Sequence, residues 1–122
     1  GHCGNTVMTE YIEQDLDKYL HGMTAAQNTP QHRLALALGA AKAIATLHDD
    51  PVSPTVHADI QAKQFLIAPG SGGRQIVKIN DFNRCRFVAH HNVTSQKCPF
   101  RIPTAPGSSR APEEYGLQPL DE

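Results

Sequence analysis

The sequence has no tryptophan, few aromatic residues and almost no net charge. Its 122 residues carry 11 Lys and Arg against 12 Asp and Glu, a net of −1 with His neutral. That balance leaves no electrostatic footprint for nucleic acid or an anionic membrane surface. No apolar run approaches the roughly 20 residues a membrane-spanning helix requires. The first residues, GHCGNT, include neither an initiator Met nor the basic and apolar regions of a signal peptide. Three cysteines (Cys3, Cys85, Cys98) form an odd set without a disulfide-framework spacing, which points to a reducing compartment. In that setting the glycosylation triplet Asn92-Val93-Thr94 carries no meaning. Neither a GxGxxG nor a GxxxxGK[ST] phosphate loop is present, and no repeat or low-complexity tract stands out.

What is present reads as globular, because 39% hydrophobic residues is too apolar for a disordered chain. Residues 6–12, TVMTEYI, are β-branched and aromatic without Gly or Pro and predict a short strand. Residues 15–22, DLDKYLHG, predict one or two helical turns with Asp15 as N-cap and Gly22 as stop. The strongest helix signal runs from about Gln31 to His48, with Thr29 as cap and Pro30 at the first helical position. Leu34, Leu38, Ala41 and Ala45 line one face of it, and Leu36, Ala40, Ile44 and Leu47 line another. A helix apolar on two faces is expected inside a larger body. Two β-prone runs, Gln64 to Ala68 and Gln75 to Ile79, flank PGSGGR and predict a hairpin with a Gly-rich turn. From Asp81 onward no period dominates and prolines punctuate the chain, as in a functional or disordered loop.

Three short motifs occur in order along these elements. Val56-His57-Ala58-Asp59-Ile60 opens the loop that ends at Gln64 and enters the hairpin. Asp81-Phe82-Asn83 follows the hairpin directly. Ala111-Pro112-Glu113 closes the irregular stretch. Each is common by chance, but their order and context resemble the protein kinase signature H-R-D-L-x-x-x-N, D-F-G and A-P-E. The segment MTEYIEQDLDKYL looks like a kinase hinge followed by the first helix of the large lobe. The resemblance spans Thr9 to Glu113. It implies an α+β, protein-kinase-like chain: the first half of the mainly helical large lobe, a β-hairpin and a terminal small-lobe strand. Residues 1–13 would be the last small-lobe strand and hinge, and residues 14–122 the large-lobe portion with catalytic loop and activation segment.

The resemblance also implies roles. Phosphoryl transfer asks a protein mainly for positioning and charge compensation. Asp59 matches the catalytic aspartate, which orients the substrate hydroxyl and accepts its proton, and His57 matches the motif's structural histidine. Asp81 matches the metal-binding aspartate, suited to Mg²⁺ as a hard oxygen donor. Gln64 stands at the position of the second metal ligand. By the same resemblance Thr9 is the gatekeeper, Glu10 and Ile12 present main-chain groups to adenine, Asp15 meets a ribose hydroxyl, and Leu66 forms the apolar floor under the base. Lys63, Phe82 and Glu113 are supporting motif residues. The expected cofactors are ATP and Mg, the expected partner a protein substrate, and the expected location cytoplasmic or the cytosolic face of a membrane. Oligomeric state is not legible.

Several positions depart from the pattern. Ala58 replaces the motif's Arg, which can bind a phosphate on the activation loop. Activity is therefore expected not to depend on phosphorylation of Thr94, Ser95, Thr104, Ser108 or Ser109 read through this position. Gln64 replaces Asn, carrying the amide one methylene further out, and Asn83 replaces Gly. Gln61 sits where serine/threonine kinases usually carry Lys, while Lys63 sits where tyrosine kinases often carry Arg. The acceptor hydroxyl is thus open, with serine/threonine favoured on the family's frequency alone. No Gly-rich loop, V-A-I-K lysine or partner Glu is present, so the chain is expected to be part of a longer product and inactive by itself. Part of the apolar surface of the long helix is expected to meet water, leaving residues 1–122 loosely folded or aggregation-prone. The main alternative is a pseudokinase or kinase-like binding scaffold, suggested by Ala58, Gln64 and Asn83. A further one is a zinc module built from Cys85, His90, His91 and Cys98, whose spacing lacks a close ligand pair at both ends.

Overall fold

A computed structural model describes residues 8–51, 54–98 and Phe100. Its elements are a helix α1 (Leu16–Gly22), a longer helix α2 (Pro30–His48) and four strands, β1 (Thr55–Val56), β2 (Phe65–Pro69), β3 (Gln75–Ile79) and β4 (Arg86–Phe87). The architecture is α+β, with two separate two-stranded antiparallel sheets, β1–β4 and β2–β3.

Both helices start where their capping residues dictate. The Asp15 carboxylate accepts from the backbone N–H of Lys18 at 2.9 Å, and the Thr29 hydroxyl accepts from that of His32 at 3.2 Å. Each satisfies a donor that a helix start otherwise leaves unpaired. Pro30 opens α2 with its φ already fixed and no N–H to waste.

The hairpin pairs Phe65 with Ile79 through to Pro69 with Gln75. Its turn is a single 3-10 turn (Ser71–Gly73), in which Gly72 and Gly73 take positive φ, a conformation open to glycine at little cost. The core lies where the hairpin meets the helices. Tyr19, Leu36 and Ile67 are buried together, with Leu16, Met23 and Val77 packed around them. The Tyr19 hydroxyl accepts from Gln75 Nε2 at 2.7 Å and lies 2.9 Å from His32 Nε2. One phenol thus ties α1, α2 and β3 together and satisfies its own polar end.

The two apolar faces of α2 have different fates. Leu36 is buried and Ala40, Ile44 and Leu47 are half-buried, whereas Leu34 is 70% and Leu38 53% exposed, with Ala41 and Ala45 exposed beside them. The strand expected over residues 6–12 is absent over its described part, 8–12. β-propensity alone does not make a strand, and no described strand pairs with these residues. Met8 and Tyr11 are largely exposed to solvent instead. The stretch after Asp81 is more ordered than its lack of period suggests: a 3-10 turn (Phe82–Arg84), β4 and an isolated bridge between His90 and Lys97 all lie within it. No described helix is long and apolar enough to cross a membrane.

Candidate active site

Two loops face each other because strands pin them at both ends. On one side Val56 of β1 pairs with Arg86 of β4. On the other, Phe65 of β2 pairs with Ile79 of β3. Residues 57–64 and 80–85 therefore run side by side between two fixed points. Backbone bonds tighten the frame, from Asn80 N–H to Gln64 C=O (2.8 Å) and from Val88 N–H to Pro54 C=O (2.8 Å).

His57 braces the frame from within. It is 2% exposed, and its Nε2 lies 2.8 Å from the Asn80 carbonyl. A carbonyl only accepts, so Nε2 carries the proton. Nδ1 is buried without a hydrogen-bond partner. The Phe82 ring sits 5.7 Å from the imidazole, centroid to centroid. This is the geometry of a packed, bonded histidine holding Asn80, and hence its neighbour Asp81, against the His57-Ala58-Asp59 segment.

Between the loops, Gln64 joins the two acidic side chains. Its Nε2 donates to Asp59 Oδ2 at 2.9 Å and to Asp81 Oδ2 at 3.1 Å, partners five and seventeen positions away in sequence. Gln64 and Asp59 are buried and Asp81 is half-buried. Arg84 brings a guanidinium nitrogen within 3.6 Å of Asp59 Oδ1, so the charge on Asp59 is compensated from two sides. Nothing in the sequence singled Arg84 out. It reaches the site only because the 3-10 turn after Asp81 folds it back toward the loop.

The backbone is strained at both carboxylates. Ala58, next to Asp59, has φ +61°, and Asp81 itself has φ +64°. Aspartate tolerates the left-handed region better than most residues, whereas alanine there costs on the order of 1 kcal/mol. Such strain persists where surrounding bonds over-determine it, as they do here. The positive φ falls on Asp81 and not on Asn83, which lies in the 3-10 turn, so the Gly-to-Asn departure costs little.

The residues expected to form the hinge make a second group. Asp15 bridges to Leu66 of β2, and Ile67 N–H donates to Gln14 C=O at 2.8 Å. That puts the end of the expected hinge beside the hairpin strand expected to form the adenine floor. Leu66 is half-buried, as is Ile12, while Thr9 and Glu10 are exposed. Glu10 pairs with Lys78, which stands across the ladder from Leu66. Both Asp15 oxygens are engaged inside α1, by the Lys18 backbone N–H (2.9 Å) and by its ammonium (3.1 Å). The Lys18 N–H, ahead of the ammonium, holds the Asp15 carboxyl below the usual carboxylate range against a smaller opposing effect of burial.

Lys63 is exposed on the 3-10 turn before β2 (Ala62–Gln64) and points at neither carboxylate by any described bond. Glu113, and with it the Ala-Pro-Glu motif, lies outside the described residues. Burial pushes the Cys85 thiol up, with Arg86 opposing and Asp81 adding to the rise. Among the described residues no three His, Cys, Asp or Glu side chains gather as a metal cluster, and nothing assembles Cys85, His90, His91 and Cys98 into a zinc site. The oxygen donors that do converge are the two carboxylates of Asp59 and Asp81, with the Gln64 amide nitrogen between them. That set fits Mg²⁺, which is commonly held by one or two carboxylates plus water and phosphate oxygens.

A family model described as protein tyrosine and serine/threonine kinase matches residues 2–113. The chain is also 34% identical over 73 residues to the proline-rich receptor-like protein kinase PERK7 of Arabidopsis thaliana, a match that covers 55% of this chain and 10% of that protein. The matched region is thus a small part of that relative's length. Motif order, paired loops and family match together place the chain in the protein tyrosine and serine/threonine kinase family.

Proposed function

We propose that the protein carrying this chain transfers a phosphoryl group from ATP to a protein hydroxyl, with Asp59 and Asp81 as its two essential carboxylates. The observation that carries the reading is their convergence on one Gln64 amide. Asp59 orients the incoming hydroxyl and takes its proton. Asp81 holds Mg²⁺, which when bound supplies charge neutralisation to the phosphates. The described bonds leave Gln64 presenting nitrogen, not oxygen, to this place, and its role is taken up below. Thr9, Glu10, Ile12 and Leu66 border the adenine. Asp15 reaches a ribose hydroxyl only by releasing Lys18. Serine or threonine is the favoured acceptor, and the free thiols of Cys85 and Cys98 support a reducing, cytosolic setting.

A second reading, a kinase-like scaffold without efficient transfer, is favoured by one feature. The Arg84 guanidinium beside Asp59 competes for the oxygen that an acceptor hydroxyl would use. ATP turnover by the protein carrying this chain, compared with Asp59→Ala and Asp81→Ala, separates the two. Loss of turnover in both variants supports the kinase. Nucleotide binding with no turnover in any of them supports the scaffold. Turnover unaffected by either substitution refutes both site assignments.

A further inference from the structure

We propose that Gln64 is a hydrogen-bonded tether between the two carboxylates that competes with a divalent cation for Asp81, and is not a ligand of that cation. The inference rests on reading Asp59 and Asp81 as the catalytic and metal carboxylates. It concerns what the residue between them does.

The orientation of the amide follows from its partners. Oδ2 of Asp59 and Oδ2 of Asp81 lie 2.9 and 3.1 Å from the same terminal atom of Gln64. Both Oδ2 atoms act as acceptors, so that atom is the nitrogen, whose two protons serve one acceptor each. Turning the amide over would set an oxygen against two oxygens.

The backbone of Gln64 leaves little freedom to do otherwise. Its N–H is bonded to Gln61 C=O and its C=O receives Asn80 N–H, at 2.9 and 2.8 Å. The residue is 5% exposed. With both ends of the peptide unit pinned, the length of a glutamine carries the amide between the carboxylates.

There the amide does part of a cation's work. Two anionic groups facing each other in a buried place repel, and the shared N–H donors offset that repulsion with charge-assisted bonds. A divalent cation held by Asp81 competes with the amide proton for the lone pairs of Oδ2. The tether therefore stabilises the cation-free site and weakens cation binding.

The sign of a binding change tests this. Mn²⁺, with oxygen-ligand preferences like those of Mg²⁺, is titrated calorimetrically into the protein and into Gln64→Met, Gln64→Leu and Asp81→Asn. Met keeps the length of Gln64 and removes both donors. The tether predicts Mn²⁺ bound about tenfold more tightly by Gln64→Met and Gln64→Leu, the size of one lost charge-assisted competitor, and a loss of binding in Asp81→Asn. Weaker or unchanged binding in the Gln64 variants, with Asp81→Asn still defective, overturns the tether and leaves the carboxylate assignment standing. No saturable binding in the wild type or in any variant, or binding indifferent to Asp81→Asn, overturns the assignment and the tether together. Should both Gln64 variants fail to fold, the wild type decides by NMR. The tether predicts that the Gln64 side-chain amide protons lose their protection from exchange as Mg²⁺ is added. Protection unchanged at saturating Mg²⁺ would refute it.

Discussion

Gly39→Ala sets helix propensity directly against packing, and the structure decides the sign. Gly39 lies inside α2, where replacing glycine by alanine gains about 1 kcal/mol from propensity alone. The position also faces β3. A Cβ on Gly39 would meet Val77 Cγ2 at 2.7 Å and Val77 Cβ at 3.0 Å, well inside the roughly 3.5–4.0 Å at which carbon atoms attract. Val77 is β-branched and stiff at χ1, so it cannot swing aside. Relief requires α2 and the hairpin to part, and overpacking of this kind costs about 1–3 kcal/mol. The net expectation is a destabilisation of about 1 kcal/mol. Val77→Ala removes the nearer atom and leaves only the Cβ contact, which a few tenths of an ångström relieve. In that background Gly39→Ala should be neutral or stabilising, giving a coupling of about 1–2 kcal/mol across the double-mutant cycle. Equilibrium urea unfolding followed by far-UV circular dichroism, with m-values compared between variants, measures all four corners. A Gly39→Ala protein more stable than wild type by about 1 kcal/mol, with no coupling to Val77, would show that α2 does not approach β3 this closely.

Two further predictions concern titratable groups. The Asp15 carboxyl is held low in the folded state, chiefly by the Lys18 N–H, so its cap on α1 is complete above the unfolded value of about 3.9 and is lost as pH falls through the lower folded value. The helical signal of wild type should exceed that of Asp15→Ala near neutrality, and the two curves should merge in acid. Curves that stay parallel down to about pH 2 would refute the cap. The Cys85 thiol, pushed up mainly by burial, should react with iodoacetamide at neutral pH more slowly than the exposed Cys98, because the thiolate is the nucleophile. Peptide mapping by mass spectrometry reads the order, and earlier labelling of Cys85 would contradict it.

Much of the fold was legible because its signals are local. Asp15 and Thr29 cap helices by reaching three residues along the chain, Pro30 fits only a helix start, and PGSGGR supplies the positive φ of a hairpin turn. α1, α2 and the β2–β3 hairpin appear close to the boundaries those residues predict. The β1–β4 pair was not legible, since two-residue strands leave no period and their partners lie far apart in sequence. The strand expected over residues 6–12 failed in its described part for the complementary reason: its composition suits a sheet, but no described strand pairs with it. Of the two apolar faces of α2, only packing could choose which one is buried. Leu36 meets the hairpin and Leu34 does not.

At the candidate site the sequence determined which groups are available. The ordered motifs supply Asp59, Gln64 and Asp81, and the chemistry of two carboxylates and an amide belongs to those residue types wherever they sit. Only the tertiary structure decided which of their atoms meet. Pairing Val56 with Arg86 and Phe65 with Ile79 fixes both ends of two loops, which turns Gln64 nitrogen toward both acids and folds Arg84 onto Asp59. A linear pattern records spacing along the chain. Which end of an amide faces a carboxylate is set by backbone bonds from residues distant in sequence, and no spacing encodes that.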